Sequence, residues 1–280
     1  MPTTLNADTA WPLWRDAPLD GAFTLQDPEA TPKSAIVAAV ERPWLLQYAP
    51  AQPNGRAMLV LGGGGYTALM AGREGVAVAR WLTTLGYHAY VLIHRFPNAA
   101  NGVAAPLDDA MEAMRMIRAE GHAGVGVVGL SSGGHLAACL VAEYPPEWPA
   151  PATKLSGETR ADLLVIGYAP ISTNARGRTI IADKPPLPPV EKQAMYDRRQ
   201  PDAQLLPDPP PAFIVYAGNN GVVPVENARR LHAALGNAGG AAELHIFADA
   251  PHGFALDTPD MPVSVWPILC EAWLRQTGFL

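Results

Sequence analysis

Gly124-Val125-Gly126-Val127-Val128-Gly129-Leu130-Ser131-Ser132-Gly133-Gly134-His135 begins as an apolar, valine-rich segment of strand length and ends in a turn. His135-Leu136-Ala137-Ala138-Cys139-Leu140-Val141-Ala142-Glu143 then continues it as a good helix former. A Gly-x-Ser-x-Gly pattern between a strand and a helix carries more meaning than the same pattern alone. So tight a turn requires small residues around the serine, and Gly129 and Gly133 let strand and helix approach without a Cβ clash. Ser131 is then lifted at the C-terminal edge of a sheet. It lies beside a helix N-terminus whose free N–H groups favour developing negative charge. This is the setting of a nucleophilic serine. A glycine-rich turn that holds a phosphate, or nothing, is the competing reading.

Working outward, the 280 residues are within reach of one large α/β domain, and the 49% hydrophobic share is enough for a sizeable core. The net charge of −6, with no Lys/Arg cluster, argues against a nucleic-acid surface. Cys139 and Cys270 are the two cysteines and fall on expected helices, as buried small hydrophobes rather than a disulfide framework. No apolar run reaches membrane-spanning length. Met1 to Trp14 lacks a basic start and an apolar centre, so the expected location is cytoplasmic.

Residues 1–33, without clear period, are expected as an arm on the domain. Ala35–Val40 and Trp44–Tyr48 suggest an antiparallel hairpin. Arg56–Leu61 is a short buried strand, Arg73–Leu85 a helix ended by Gly86, and His88–Ile93 the next strand. Pro106–Glu120 is a helix, followed by the central strand and the serine turn. Ala161–Tyr168, Ala212–Tyr216 and Ala241–Phe247 read as further strands, with helices at Val225–Leu235 and Val263–Thr277. Residues 169–211 are proline-rich and too long for a simple connection, so a lid-like insertion with a short helix near 190–197 is expected. This alternation implies a mostly parallel central sheet with helices on both faces, in a single domain over 1–280.

In such sheets ligands bind at the C-terminal strand ends. Three loops besides the serine turn fall there. Gly62-Gly63-Gly64-Gly65-Tyr66 can bring backbone N–H groups to an oxyanion, with Gly64 and Gly65 as candidate donors and the N–H of Ser132 as the second. It lacks the Lys-Ser/Thr of a P-loop and the spacing of a dinucleotide loop. Ala250-Pro251-His252-Gly253-Phe254 places a histidine just before the final helix, where a general base for Ser131 belongs. Of the other six histidines, His94 ends a strand near the site and is the candidate pocket residue, with Tyr66. His135 is expected in packing. No pair has metal-ligand spacing beside a carboxylate, so no metal is expected. The third loop, Tyr216-Ala217-Gly218-Asn219-Asn220-Gly221, should carry an acid to orient the histidine, yet it offers two asparagines.

Several stretches together resemble the α/β-hydrolase superfamily, and within it the acetyl-xylan-esterase-like carbohydrate esterases. They are Gly62–Tyr66, Arg73-Glu74-Gly75 with Val78-Ala79-Arg80-Trp81-Leu82, Pro106-Leu107-Asp108-Asp109-Ala110, Gly129 to Ala137, Val222-Val223-Pro224-Val225-Glu226-Asn227 and His252-Gly253-Phe254. The resemblance runs from about Trp11 to the C-terminus. It implies an eight-strand-type sheet in a three-layer α/β-hydrolase fold, no cofactor, and hydrolysis of small acyl esters, often acetyl groups on sugars. The family order of nucleophile, acid and base fits Ser131, position 220 and His252. Two departures stand out: Gly62 replaces a proline or histidine, and Asn220 occupies the position of the triad aspartate, with Asn219 replacing a second frequent aspartate. Three readings fit the asparagine. Asn220 orients His252 and gives a weak esterase; Asp249 or Glu226 supplies the carboxylate; or the chain is a degenerate hydrolase that binds a small molecule without turnover.

Overall fold

A computed structural model describes residues 5–14, 22–149, 157–172 and 188–280. Its frame is an eight-stranded sheet in the order β1-β4-β6-β5-β7-β8-β9-β10. The strands are β1 (Thr9–Pro12), β4 (Trp44–Tyr48), β5 (Ala57–Leu61), β6 (His88–Ile93), β7 (Val125–Leu130), β8 (Leu163–Gly167), β9 (Ala212–Ala217) and β10 (Ala242–Phe247). β2 (Phe23–Leu25) and β3 (Val37–Val40) form a separate two-stranded ribbon. From β6 through β10 every neighbouring pair is parallel, while β1–β4 and β4–β6 are antiparallel. The fold is the α/β-hydrolase fold expected from the sequence.

β5, β7, β8 and β9 are buried at every position. This explains their continuous apolar runs, because a parallel strand covered by helices on both faces has no polar side. The helices are α1 (Ala77–Thr84), α2 (Ala105–Ala119), α3 (Ser132–Cys139), α4 (Val190–Arg198), α5 (Pro201–Gln204), α6 (Glu226–Asn237) and α7 (Trp266–Gln276). The buried apolar side chains form one contiguous cluster through the sheet.

The chain leaves β5 for β6 on one side and returns to β7 on the other. β5 and β7 therefore flank the switch point of the sheet, where the connecting loops diverge and leave a crevice. The glycine loop after β5 and Ser131 after β7 both open onto that crevice.

Two expectations need correction. Val37–Val40 and Trp44–Tyr48 are not a hairpin: β3 pairs with β2, whereas β4 lies between β1 and β6. Burial explains the separation. Leu45 and Leu46 are adjacent and so face opposite sides of the strand, and both are buried, which demands an interior place in the main sheet. Ala38 and Ala39 in β3 stay exposed. The helix expected from Arg73 instead begins as a wider π-helical turn over Ala71–Val76 before α1. Such turns often mark functional sites, and this one carries Glu74. Of the expected N-terminal arm, Thr9–Pro12 adds the edge strand of the sheet, and 15–21 lie outside the described residues. Within 169–211, the helix expected near 190–197 is α4, while 173–187 lie outside the described residues.

Candidate active site

Ser131 has φ 51° and ψ −127°, a strained backbone for a residue with a side chain. A residue in such a region costs about 1–3 kcal/mol and persists only where its surroundings enforce it. Here the enforcement is visible. A Cβ on Gly133 would lie 2.0 Å from the Leu61 carbonyl oxygen, and one on Gly129 would lie 2.4 Å from that of Gly133. The turn can be this tight only with glycine at both places. Ser131 is the N-cap residue of α3.

His252 comes from the loop after β10. Its Nε2 is 3.0 Å from Ser131 Oγ. Its other ring nitrogen, Nδ1, is 3.0 Å from Nδ2 of Asn220, in the loop after β9. Three loops thus bring Ser131, His252 and position 220 into one hydrogen-bonded line, in the order read from the sequence.

The orientation of Asn220 is set by its backbone surroundings. Its Oδ1 accepts the N–H of Val222 at 3.0 Å and of Val223 at 2.9 Å. Only the oxygen can take two donors, so the amide NH₂ must face the histidine. An NH₂ donates and Nδ1 must accept, which leaves the ring proton on Nε2. Nε2–H then donates to Ser131 Oγ. This is the opposite of the tautomer that a general base needs. Burial holds the His252 pKa below the ordinary histidine value.

The two carboxylates considered for this role, Asp249 and Glu226, are engaged elsewhere. Asp249 accepts the side-chain N–H of Asn219, whose own oxygen accepts Ala250 N–H. Glu226 lies along α6 against Arg229 and Arg230.

In the glycine loop the three amides have different fates. Gly63 N–H donates to Glu74 Oε2 at 2.7 Å, and Gly65 N–H donates to Ser132 Oγ at 2.9 Å. Gly64 N–H and Ser132 N–H have no acceptor among the described residues. The sequence offered Gly64 and Gly65 as equal donors; the structure separates them and leaves Gly64 available. Gly64 has φ +128°, and a Cβ there would lie 2.2 Å from the Ala68 carbonyl oxygen. No other residue fits that position.

Tyr66 and His94 stand side by side with ring centroids 5.9 Å apart, each only 1% exposed. They form a wall behind the glycine loop rather than an open surface. Tyr66 OH donates to His135 Nδ1 at 2.8 Å, and His135 Nε2 donates to the Arg199 carbonyl at 2.8 Å. His135 is therefore a packing residue, as its place on the helix suggested.

Glu74 and Tyr168 were not singled out from the sequence. Glu74 is buried, and its Oε1 accepts Tyr168 OH at 3.1 Å while Oε2 holds Gly63. Burial raises its pKa, opposed by those two hydrogen bonds. Tyr168 OH also accepts Ala255 N–H, and its ring stands edge-on to His252 with centroids 5.3 Å apart. One buried carboxylate thus ties the glycine loop to the histidine loop. The Arg73-Glu74-Gly75 match was its only signal in the sequence.

Among the described residues no group of three or more His, Cys, Asp or Glu could hold a metal ion, and no helix is long and apolar enough to cross a membrane. A separate surface groove is lined by Trp11, Trp14, Tyr90, Glu112 and Arg115. It lies by β1 at the sheet edge, and none of its lining residues is a serine or a histidine.

Comparison with known proteins bears on the fold and on the chain's relatives. The Dienelactone hydrolase family is matched over residues 199–280. An acetylxylan esterase from Xylanibacter ruminicola is 25% identical over 249 residues, covering 85% of this chain. The chain spans about half the length of that curated relative, 49%. Among solved structures, an acetyl ester-xyloside bifunctional hydrolase from Caldicellulosiruptor lactoaceticus has 27% identity and a TM-score of 0.68, with 97% of each chain covered. A carboxylesterase from Lactobacillus plantarum has 20% identity and a TM-score of 0.70, covering 92% of this chain and 98% of its own, and supports the fold. The chain is an α/β-hydrolase-fold protein, similar along most of its length to an acetylxylan esterase and to an acetyl ester-xyloside bifunctional hydrolase.

Proposed function

We propose that the protein is a serine carboxylic-ester hydrolase acting on small acyl esters, with acetyl groups on xylan-type oligosaccharides as the favoured substrate class. The observation that carries this reading is the 3.0 Å contact between Ser131 Oγ, on a strained strand-to-helix turn, and His252 Nε2. The substrate class draws on the acetylxylan esterase and the acetyl ester-xyloside hydrolase to which the chain is similar.

In the proposed reaction an acyl carbonyl enters between Ser131 and the glycine loop. His252 shifts its proton to Nδ1, and Nε2 takes the proton of Ser131 Oγ as the oxygen attacks. The N–H groups of Gly64 and Ser132 receive the negative charge that develops on the carbonyl oxygen. His252 then protonates the departing alcohol, and water releases the acid by the same steps in reverse order of roles. Tyr66 and His94 back the acyl site.

The weak link is the first proton shift. It must displace the Asn220 NH₂ from Nδ1, and the imidazolium gains no opposite charge from position 220. The proposed enzyme is therefore slow for its fold. The second reading, ligand binding without turnover, draws on this same amide.

A fluorophosphonate and p-nitrophenyl acetate separate the two. The expected result is a single labelled serine, Ser131, found by peptide mapping, with acetate release that disappears in Ser131→Ala. A label on another serine, or turnover that survives Ser131→Ala, sinks the proposal. Labelling without any turnover favours the binder.

A further inference from the structure

We propose that Asn220 is a self-modification site: the Asn220–Gly221 pair loses ammonia through a cyclic imide, and the product supplies the aspartate that His252 lacks. The consequence for activity rests on the serine-esterase reading above; the chemistry does not.

Three observations lead there. First, Asn220 is followed by glycine, which sets no side chain of its own beside the backbone nitrogen that must attack, and a Cβ at 221 would meet nothing within 4 Å. Gly221 N–H has no acceptor among the described residues. Second, Asn220 Oδ1 accepts two backbone N–H groups, from Val222 and Val223. They polarise the Cγ carbonyl as an oxyanion hole polarises an ester. The Val222 bond also closes a small ring that contains both Cγ and the Gly221 nitrogen, as in an Asx-turn. Third, among the described residues Nδ2 is bonded only to His252 Nδ1, so the departing nitrogen has one partner to leave.

The step balances within the loop and one water. The Gly221 nitrogen gives up its proton and bonds to Asn220 Cγ. The negative charge rises on Oδ1, between the Val222 and Val223 N–H groups. The Cγ–Nδ2 bond breaks, and Nδ2 leaves as ammonia with the proton released from Gly221. Water then adds to Cγ, the Cγ–N bond breaks, and the Gly221 nitrogen regains a proton. Addition at the Asn220 main-chain carbonyl would instead give isoaspartate. The two N–H groups on Oδ1 direct water to Cγ and so to aspartate.

The product fits the surroundings better for catalysis than the asparagine does. One carboxylate oxygen keeps Val222 and Val223. The other faces Nδ1, which now carries the proton, and Nε2 becomes the acceptor that Ser131 needs. The modification converts the resting tautomer into the working one.

The test follows freshly prepared protein in buffer made with ¹⁸O-water. Peptide mapping reads the state of residue 220 and separates aspartate from isoaspartate. kcat/KM on p-nitrophenyl acetate is measured on the same aliquots, beside Asn220→Asp as the end point and Gly221→Ala as the slowed control. The expected result is ¹⁸O-labelled aspartate accumulating at 220, with activity rising in proportion towards that of Asn220→Asp. Gly221→Ala should lag in both. An unchanged Asn220, isoaspartate as the main product, or activity rising without conversion overturns the proposal. If Asn220→Asp is itself inactive, the esterase reading fails, and the mass record alone decides whether the conversion occurs.

Discussion

Asn220 presents its amide nitrogen, not its oxygen, to Nδ1 of His252 at 3.0 Å, because its oxygen is held by Val222 and Val223 N–H. A hydrogen bond that looks like the acid–base arm of a triad therefore runs in the wrong direction. It stabilises a histidine that donates to Ser131 instead of accepting from it. This one relationship sets the first two predictions.

Asn220→Asp should raise kcat/KM on an acetyl ester by about 10²-fold or more, since the reverse change in a serine protease, the type case for this effect, costs about 10⁴. The carboxylate satisfies Val222, Val223 and Nδ1–H together, so no rearrangement of the loop is needed. Asp249→Asn should leave the rate within a few-fold, because Asp249 is bonded to Asn219 rather than to His252. Steady-state kinetics on fresh protein decides. A collapse in Asp249→Asn with no gain in Asn220→Asp would move the acid to Asp249.

The pH profile should report the same relationship. A general base works only when neutral, so the rate falls as pH drops through the His252 pKa. Burial lowers that pKa, and no carboxylate offsets it. The acidic limb of kcat/KM in the unmodified protein should thus lie below the ordinary histidine value of about 6.5. A carboxylate at 220 favours the imidazolium, so Asn220→Asp should move the limb to higher pH. Coincident limbs in the two proteins would mean that position 220 does not sense the ring charge.

Gly63→Ala tests how closely the serine turn and the glycine loop are fitted. A Cβ there would lie 2.5 Å from Ser131 Cβ and 2.6 Å from Glu74 Oε2. Overpacking of this kind costs about 1–3 kcal/mol, and relief requires a shift of the glycine loop against Ser131 and Glu74, with the Leu130 carbonyl oxygen also at 3.0 Å. Both Tm and kcat should fall. Gly236→Ala, inside α6 with nothing within 4 Å, should instead stabilise by up to about 1 kcal/mol. An unchanged Tm in Gly63→Ala would show that the crevice is looser than these distances.

The chain order made Ser131, the glycine loop and His252 legible because each depends on local chemistry: a tight turn, a backbone without side chains, a histidine before the last helix. The sheet was legible for a related reason, since doubly covered strands must be apolar throughout. Strand partners at the edge were not. Nothing near Val37 indicates that Leu25 is its neighbour, and β4 finds β1 from more than thirty residues away. Position 220 was one of three readings in the sequence; it lies beside the histidine, and the direction of its amide is decided by two backbone N–H groups that no side chain signals. Glu74 and Tyr168 stayed hidden because they are 94 residues apart and meet only in the folded crevice.

Glu74→Ala tests that last pair. The change leaves Gly63 N–H and Tyr168 OH buried without their acceptor, at about 1–3 kcal/mol for each lost partner. The loss also frees the glycine loop next to Gly64 and loosens Tyr168 against the histidine loop at Ala255. A group that acts by holding others should lower kcat more than it raises KM, because the oxyanion contacts tighten in the transition state. Glu74→Gln keeps an oxygen for Gly63 and a donor for Tyr168 OH, which can accept in turn, so it should recover much of both Tm and kcat. Thermal melts and the kcat-against-KM split on all three proteins check this. Equal loss of Tm in both variants with kcat untouched would make Glu74 a packing residue only. Loss of kcat that Glu74→Gln does not restore would mean that the charge itself, and not the pair of hydrogen bonds, is what the crevice uses.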